Sequence, residues 1–324
     1  VGPLSSEIAF PLVQSLLGDG QIEEAEKLSK ALIEKEKTFG PIYDLLYVYY
    51  LRTNRLGDAE SILKSKVANN PKQAEFLVQL AAYYFAAKRQ PEMLSTIERL
   101  TANPKEFPTG RLLAGDFFLR TRDWDNATRH FEQGLRDNPK DKATYAKRIA
   151  EVLLAQGKRA EATRTLEEVL KENPGDDNAK AMRASLLIDP ANPEQVQTAI
   201  NELQSLVGRM PKNAVLRFNL ARALMAKGQI DPARTQLQEA VKIDHAYLPA
   251  RLTLARLHVF RREFGAALQA TQEIMDIAPR NLQARLIRAD AQMGLGNLSQ
   301  ARETLAEAIK ENPSSRDAVF QLGY

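Results

Sequence analysis

Apolar residues recur along the chain at helical spacing, in pairs of runs that repeat every 34 residues. In residues 248–281 the first run contains Leu254, the second run contains Phe264 and Ala267, and Pro279 closes the repeat. The same skeleton returns 34 residues later and also stands 34 residues earlier. A fixed period of this length, with two helical runs in every repeat, predicts stacked helical hairpins.

Repeats can be located along almost the whole chain from three features. These are a small residue between the runs, an alanine in the second run and the closing proline. We predict nine full repeats at 6–39, 40–73, 74–107, 108–142, 143–176, 177–213, 214–247, 248–281 and 282–315. Residues 1–5 are interpreted as an N-terminal extension or residues left from cloning, and residues 316–324 begin the first helix of a tenth, truncated repeat. The three extra residues of the sixth repeat fall in the turn 189–193 between its helices, because turn residues tolerate an insertion.

Small residues and prolines at fixed repeat positions carry a family resemblance. The first helix contains a Leu-Ala pair such as Leu220-Ala221, the second helix contains an alanine such as Ala267, and Pro313 closes the ninth repeat. In these features the chain resembles the tetratricopeptide repeat over essentially residues 6–324. The resemblance implies an all-α fold, a right-handed α-solenoid (superhelix) of tandem helix-turn-helix hairpins, in which the first helix of each pair lines the concave face.

Composition narrows the class of protein. The chain has 324 residues, of which 44% are hydrophobic and 27% charged, and its 45 basic and 41 acidic residues give a formal net charge of +4. This small excess is spread along the chain, so no nucleic-acid partner is expected. The sequence has no cysteine and therefore neither disulfides nor thiolate metal sites. No apolar run approaches the roughly 18 residues of a membrane span, so these residues are not expected to insert into a membrane.

Residue patterns that support catalysis or metal binding are missing from the sequence. His130, His245 and His258 lie far apart, without HExxH or comparable ligand spacing, and we interpret each as solvated. No Gly-rich phosphate loop follows a strand, and no serine stands in a GxSxG elbow. We therefore predict a non-enzymatic chain without catalytic residues, cofactor or metal.

Aromatic residues also follow the repeat. Positions 10 and 11 of three successive repeats hold Tyr49 and Tyr50, Tyr83 and Tyr84, and Phe117 and Phe118. We interpret them as a packing ladder, because aromatic side chains of this kind bury a large area.

The first helix of each repeat presents one face at repeat positions 2, 5, 9 and 12. At position 12 the nine full repeats hold Leu17, Leu51, Phe85, Leu119, Leu154, Ile188, Met225, Val259 and Met293. Position 5 is mostly apolar as well, but Asp44 and Lys147 interrupt it. One interpretation is an apolar lining that binds an extended or helical peptide. The other is that these side chains pack between adjacent first helices.

The charge of the residues at position 9 changes along the same face. This position is acidic at Asp116 and Glu151, basic at Arg222 and Arg256, and acidic again at Asp290. A lining with charges of both signs affects the orientation of a charged partner more than its affinity. A second column of arginines, at position 4, consists of Arg217, Arg251 and Arg285. The two sets together predict an anion-facing patch in repeats seven to nine, or alternatively solvated arginines paired with nearby carboxylates.

We predict that the partner-binding groove lies on repeats seven to nine. Its residues are Phe218, Arg222, Leu252, Arg256, Leu286 and Asp290. The carboxylate clamp that members of the family use to grip acidic chaperone C-termini requires lysine at position 5 and asparagine at position 9 of one repeat. Lys147 is the only lysine at position 5, and Glu151 stands at position 9 of its repeat. The sequence therefore disfavours this type of clamp.

These observations favour a non-enzymatic scaffold whose concave groove binds a protein or peptide partner. One alternative is a targeting module of a larger enzyme, with a catalytic domain beyond Tyr324. Another is a scaffold for exopolysaccharide export in a bacterial envelope, since long cysteine-free arrays with turns such as KENPGDDNA resemble export-associated members of the family. A secretory or lipoprotein leader before Val1 would support an envelope or periplasmic location, and a cytoplasmic location stays open. The sequence leaves the oligomeric state undetermined.

Overall fold

The computed structural model describes residues 5–323, and the regular elements of these residues are nineteen α-helices and one short 3-10 helix, Pro139–Asp141. The described chain forms two compact units, unit 1 (5–165) and unit 2 (166–323). The division falls inside α10 (Arg159–Glu172). The expected all-α fold of tandem helix hairpins is confirmed.

Unit 1 is a series of helix pairs joined by short turns. Its helices are α1 (Ser6–Gly18), α2 (Ile22–Lys35), α3 (Gly40–Arg52), α4 (Leu56–Asn69), α5 (Ala74–Ala86), α6 (Gln90–Ala102), α7 (Gly110–Arg120), α8 (Trp124–Asp137) and α9 (Lys142–Ala155). Each odd-numbered helix from α1 to α7 packs on the helix that follows it, and α4 packs on α5, α6 on α7 and α8 on α9. First helices of neighbouring hairpins also meet, as α5 does with α7. These contacts bury the apolar side of each hairpin, which an isolated hairpin would leave in water.

Unit 2 repeats this arrangement. Its helices are α11 (Asp177–Leu186), α12 (Pro193–Arg209), α13 (Ala214–Ala226), α14 (Ile230–Ile243), α15 (Leu248–Phe260), α16 (Phe264–Ile277), α17 (Leu282–Gly294), α18 (Leu298–Glu311) and α19 (Arg316–Leu322). Each helix of this unit packs on one or more of its neighbours, and α15 also packs on α17. Pro91 lies in the first turn of α6, and Pro193 begins α12. Proline is tolerated at these positions because the first N–H groups of a helix have no partner within the helix.

Close approach of the paired helices depends on small residues. In α7, a Cβ on Gly115 would lie only 2.3 Å from Cε1 of Phe131 in α8, so the phenyl ring packs directly on the glycine backbone. Phe131 is fully buried as a result. The alanines Ala255 and Ala267, which the sequence places in opposite helices of the eighth hairpin, are also fully buried. Side chains at these positions set the distance between the two helices.

The aromatic ladder is confirmed as a packing feature. Tyr50, Tyr83, Tyr84, Phe117 and Phe118 are all buried. Their rings meet edge to face, with centroids 5.7 Å apart for Tyr83 and Tyr84 and 5.3 Å apart for Phe117 and Phe118. Edge-to-face pairs of this kind add to the free energy gained from burial alone.

A three-residue cluster, here called the junction triad, joins neighbouring hairpins of unit 1. In α3 the Tyr50 hydroxyl donates to Oε1 of Glu26 in α2 over 3.1 Å, and Arg55 pairs with the same carboxylate at 2.6 Å. The Arg55 guanidinium lies 4.6 Å from the centre of the Tyr50 ring. The next junction has the same triad at the same repeat positions.

The second triad consists of Glu60, Tyr84 and Arg89, with Arg89 at 2.5 Å and the Tyr84 hydroxyl at 3.1 Å from the Glu60 carboxylate. In unit 2 the same three positions hold Arg234, His258 and Glu263, so the charges are exchanged. Glu263 accepts from Nδ1 of His258 at 2.6 Å and pairs with Arg234 at 3.1 Å. The triad therefore links a second helix to the hairpin that follows it, whether the second helix carries the carboxylate or the guanidinium.

Candidate functional site

The first-helix face of unit 1 carries exposed apolar side chains at the positions that the sequence singles out. Val48 and Leu51 of α3 are 43% and 40% exposed, and Phe85 of α5 is 48% exposed. They occupy repeat positions 9 and 12. Large apolar side chains at this level of exposure on adjacent elements are typical of a protein-interaction surface. We call these three residues the unit 1 stripe.

A groove of about 500 Å³ lies between α5 and α7 beside the unit 1 stripe. Its walls include Val78, Ala82 and Phe85 of α5 and Leu113, Asp116 and Phe117 of α7. The Phe85 and Phe117 rings meet edge to face at 6.1 Å, and Phe117 forms the buried floor of this contact. Sequence reasoning placed the site on later repeats and missed this groove. The signal was available, because Val78, Ala82 and Phe85 give the third repeat apolar residues at positions 5, 9 and 12 together.

Asp116, the acidic residue at the α7 side of this groove, is already engaged. Nε of Arg148 lies 3.1 Å from Oδ1 of Asp116, and its Nη1 lies 2.8 Å from Oε2 of Glu151. Burial raises the pKa of Asp116, although Arg148 opposes the shift. One arginine therefore holds both acidic residues of position 9 in unit 1, and the other charged residues that line the groove are Glu75 and Arg120.

Asp44, the acidic interruption of position 5, serves a contact between helices. Its Oδ1 accepts from Nζ of Lys66 at 2.6 Å and from Nε2 of Gln79 at 2.9 Å. Lys66 is only 3% exposed, and its ammonium also lies 4.1 Å from the centre of the Phe76 ring. This network ties α3, α4 and α5 together at the margin of the first-helix face.

In unit 2, four of the six predicted site residues lie on α13 and α15 and are half-buried or exposed. Phe218 of α13 is half-buried, and its ring meets Tyr247 edge to face at 5.6 Å. The exposed Arg222 lies with its guanidinium 5.9 Å from the centre of the Phe218 ring. In α15, Leu252 is half-buried, and the exposed Arg256 donates to the side-chain oxygen of Gln283.

The other two predicted site residues lie deeper. Leu286 is only 7% exposed and packs in a core cluster with Ala318 of α19, so it offers little surface to a partner. Asp290 accepts from Nε2 of Gln321 in α19 over 2.9 Å. Burial raises the pKa of Asp290, and Arg256 opposes the shift. The accessible part of the predicted groove is therefore centred on α13 and α15.

Two of the three arginines at position 4 pair with nearby carboxylates, whereas Arg217 donates to Oε1 of Gln236 over 3.0 Å. Arg251 lies 2.8 Å from Glu273, and Arg285 lies 3.4 Å from Glu307 and 3.1 Å from Glu311. Arg217, Arg251 and Arg285 also each donate to the backbone carbonyl six residues earlier. These arginines stabilise the turn between hairpins, and Arg222 and Arg256 are the exposed arginines of the predicted anion-facing patch.

The interpretation of the three histidines as solvated is wrong for two of them. His130 is buried against Phe118, and the half-buried His258 belongs to a junction triad. Only His245 is exposed. Across residues 5–323 there is no cluster of three or more potential side-chain ligands for a metal ion. In the same range, no helix combines the length and the apolar character needed to cross a bilayer.

Comparison with known proteins shows which family and which fold the chain matches. The sequence profile of the family described as tetratricopeptide repeat matches residues 118–186, 193–257 and 261–322, which together make up more than half of the chain. No curated protein sequence matches the chain.

Solved structures resemble the chain in fold. A chain of the APC/C hetero-tetramer Cut9-Hcn1 aligns with a TM-score of 0.61 over 97% of this chain and 62% of its own length, at 14% identity. The thermophilic TPR protein TTC0263 from Thermus thermophilus has a TM-score of 0.47 and 21% identity, covering 56% of this chain and 97% of its own. MamA has a TM-score of 0.44 and 21% identity, covering 54% of this chain and 93% of its own. At these identities the likeness concerns the fold alone.

Proposed function

Because this chain belongs to the tetratricopeptide repeat family, we propose that it is a non-enzymatic scaffold that binds a protein or peptide partner on the first-helix faces of its hairpins. The observation that carries the proposal is the unit 1 stripe with the groove beside it. A side chain buried on binding in a well-packed pocket dominates the affinity of most interfaces. An apolar residue of the partner therefore occupies the groove between α5 and α7, and Phe85 forms its main contact.

Unit 2 has a more polar first-helix face of its own, which we include in the proposal. Phe218 and Leu252 offer apolar contacts, while Arg222 and Arg256 attract acidic groups of the partner. Exposed charges of this kind act mainly on orientation and on the rate of association. We retain Leu286 and Asp290 in the proposed site as supporting residues, because Leu286 packs beneath this face and Asp290 lies within the field of Arg256.

Affinity capture with three variants of the full chain tests this proposal. The unit 1 variant carries Val48→Asp and Phe85→Asp, and the unit 2 variant carries Phe218→Ala, Arg222→Glu and Arg256→Glu. Phe260→Asp is the matched control, because Phe260 is 73% exposed but stands at the end of α15, beside the turn to α16. Circular dichroism establishes that each variant stays folded.

The partner is expected to be lost from the unit 1 variant and retained by the control. Capture by the unit 2 variant that is weaker at low salt, and that no longer falls as salt is added, would agree with the orienting role of the arginines. A partner that both variants retain as fully as the control does would refute the first-helix faces as the binding surface.

A further inference from the structure

A cavity of about 540 Å³ lies on the second-helix side of unit 1, between α6, α7 and α8. Its apolar wall is formed by Leu94, Ile97 and Phe118, and its polar wall includes Arg111, Arg129 and His130. These residues are separate from the unit 1 stripe and its groove. The volume falls in the range of roughly 300–1,000 Å³ that small-molecule sites occupy.

Arg111 is a partly buried cation with unused hydrogen-bonding capacity. Its Nη1 lies 3.4 Å from Nδ1 of His130, and its buried Nε makes no hydrogen bond. Oδ2 of Asp137 is 3.8 Å from this Nε, which is too far for a hydrogen bond. A guanidinium carries five N–H donors and no acceptor, and His130 accepts only one of those on the two Nη groups of Arg111, so a ligand oxyanion in the cavity would accept from the others.

His130 lies between the Arg111 guanidinium and the Phe118 ring. Its ring is 5% exposed and stacks on Phe118 with centroids 5.4 Å apart. Because Arg111 can only donate, Nδ1 of His130 must accept, which places the ring proton on Nε2. Burial, followed by the charges of Arg111 and Arg129, lowers the pKa of His130 to about 4. The imidazole is therefore neutral at pH 7 and does not add to the positive charge.

Among the residues that line the cavity, two carry guanidinium groups and one, Glu98, carries a carboxylate. We propose that this cavity binds a small organic anion, whose carboxylate or phosphate group pairs with Arg111 and Arg129. The apolar body of the ligand then lies against Leu94 and the Phe118 ring. Guanidinium groups suit this role because their planar donors match the oxygens of carboxylates and phosphates. The site is independent of partner binding on the first-helix faces.

Phenyl phosphate is the probe for this site, with phenol and inorganic phosphate as comparison ligands. The readout is the NMR spectrum of the histidine ring protons of the full chain at pH 7. The sequence has 3 histidines, so His245 and His258 serve as internal references. We expect a saturable shift of the His130 signals, with phenyl phosphate binding at least about tenfold more tightly than inorganic phosphate because it also buries apolar surface.

Three charge-neutralising variants separate this site from general attraction of anions. Arg129→Gln should weaken phenyl phosphate binding at least about tenfold, because it removes one of the two paired cations. Glu98→Gln should strengthen binding, because it removes the opposing charge. Arg164→Gln, an exposed change on α10, is the matched control and should leave the affinity unchanged.

The substituted side chains of Arg129 and Arg164 are exposed, so both variants are expected to keep the wild-type circular dichroism spectrum. The proposal is overturned if the His130 signals show no saturable shift, or if Arg129→Gln binds phenyl phosphate as tightly as Arg164→Gln does. If phenyl phosphate binds no more tightly than inorganic phosphate, the proposed contact between the ligand and the apolar wall is refuted.

Discussion

Replacing Gly115 with alanine tests whether the close approach of α7 and α8 holds the fourth hairpin together. The added Cβ would lie 2.3 Å from Cε1 and 2.5 Å from Cδ1 of Phe131, far inside van der Waals contact. Phe131 is fully buried, so its ring cannot turn out into solvent. Either the ring or the whole of α8 must move to accept the methyl group.

Two effects of opposite sign set the magnitude. Overpacking a filled core costs roughly 1–3 kcal/mol, and the short distances place this substitution near the upper end. Alanine in a helix is favoured over glycine by up to about 1 kcal/mol. We therefore expect Gly115→Ala to destabilise the hairpin by about 2 kcal/mol. At Gly57 in α4 nothing lies within 4 Å of an added Cβ, so Gly57→Ala should stabilise its helix slightly.

Native-state hydrogen exchange is the appropriate assay, because long repeat arrays need not unfold in a single two-state transition. A loss of about 2 kcal/mol lowers the protection of the α7 and α8 amides roughly 30-fold. Contacts in such an array are limited to neighbouring hairpins, so the α13 to α19 amides should be unaffected. Unchanged or increased protection of α7 and α8 in Gly115→Ala, as expected for Gly57→Ala, would refute the packing argument.

Two further predictions concern charged groups of unit 1. The hydrogen bond from Lys64, with those from Arg89 and Tyr84, lowers the pKa of Glu60 from 4.5 to about 2. A lowered pKa in the folded state means that the stabilisation is present above pH 4.5 and is lost as the pH falls towards 2. Water around Lys64 and Arg89 screens the interaction, so the loss should be about 1 kcal/mol. Exchange of the α4 and α5 amides measured from pH 6 to pH 3 should show this loss, and a Glu60→Gln variant with the same pH dependence would contradict it. Asp44→Ala leaves the buried Lys66 without its charge partner and should cost about 1–3 kcal/mol, less than for a fully buried pair because Asp44 is 48% exposed, whereas Asp44→Ala combined with Lys66→Met should recover most of that cost. Thermal unfolding of both variants measures the difference, and equal melting temperatures would show that the unpaired charge is not the cause.

Much of the fold could be predicted from the sequence because its determinants are local. The helical spacing of apolar residues depends on 3.6 residues per turn, and the turn and cap residues act on their own neighbourhood. Pro193 marks the limit of this reasoning, because the sequence places it in the turn 189–193 whereas it begins α12 in the structure. The buried aromatic ladder also followed from the sequence, since its register is that of the repeat.

The candidate site depended on contacts that no single helix contains. Phe85 and Ile188 both occupy repeat position 12, yet Phe85 is 48% exposed and Ile188 is only 8% exposed. Ile188 belongs to a core cluster of unit 2, whereas Phe85 borders the open groove between α5 and α7. Exposure at a given repeat position is thus a property of neighbouring hairpins, and the spacing of residues along one helix cannot supply it.

The sequence by itself determined the array of helical hairpins and the face of each first helix that can meet a partner. Only the tertiary structure decided which charges on that face are available. Arg251 and Arg256 stand 5 residues apart in α15, and Glu273 of α16 engages the first while the second stays exposed. The same holds for His130, whose neutral ring depends on burial and on Arg111 of α7. Burial and charge pairing are set by side chains that are distant in sequence, and folding alone brings them within a few ångströms of one another.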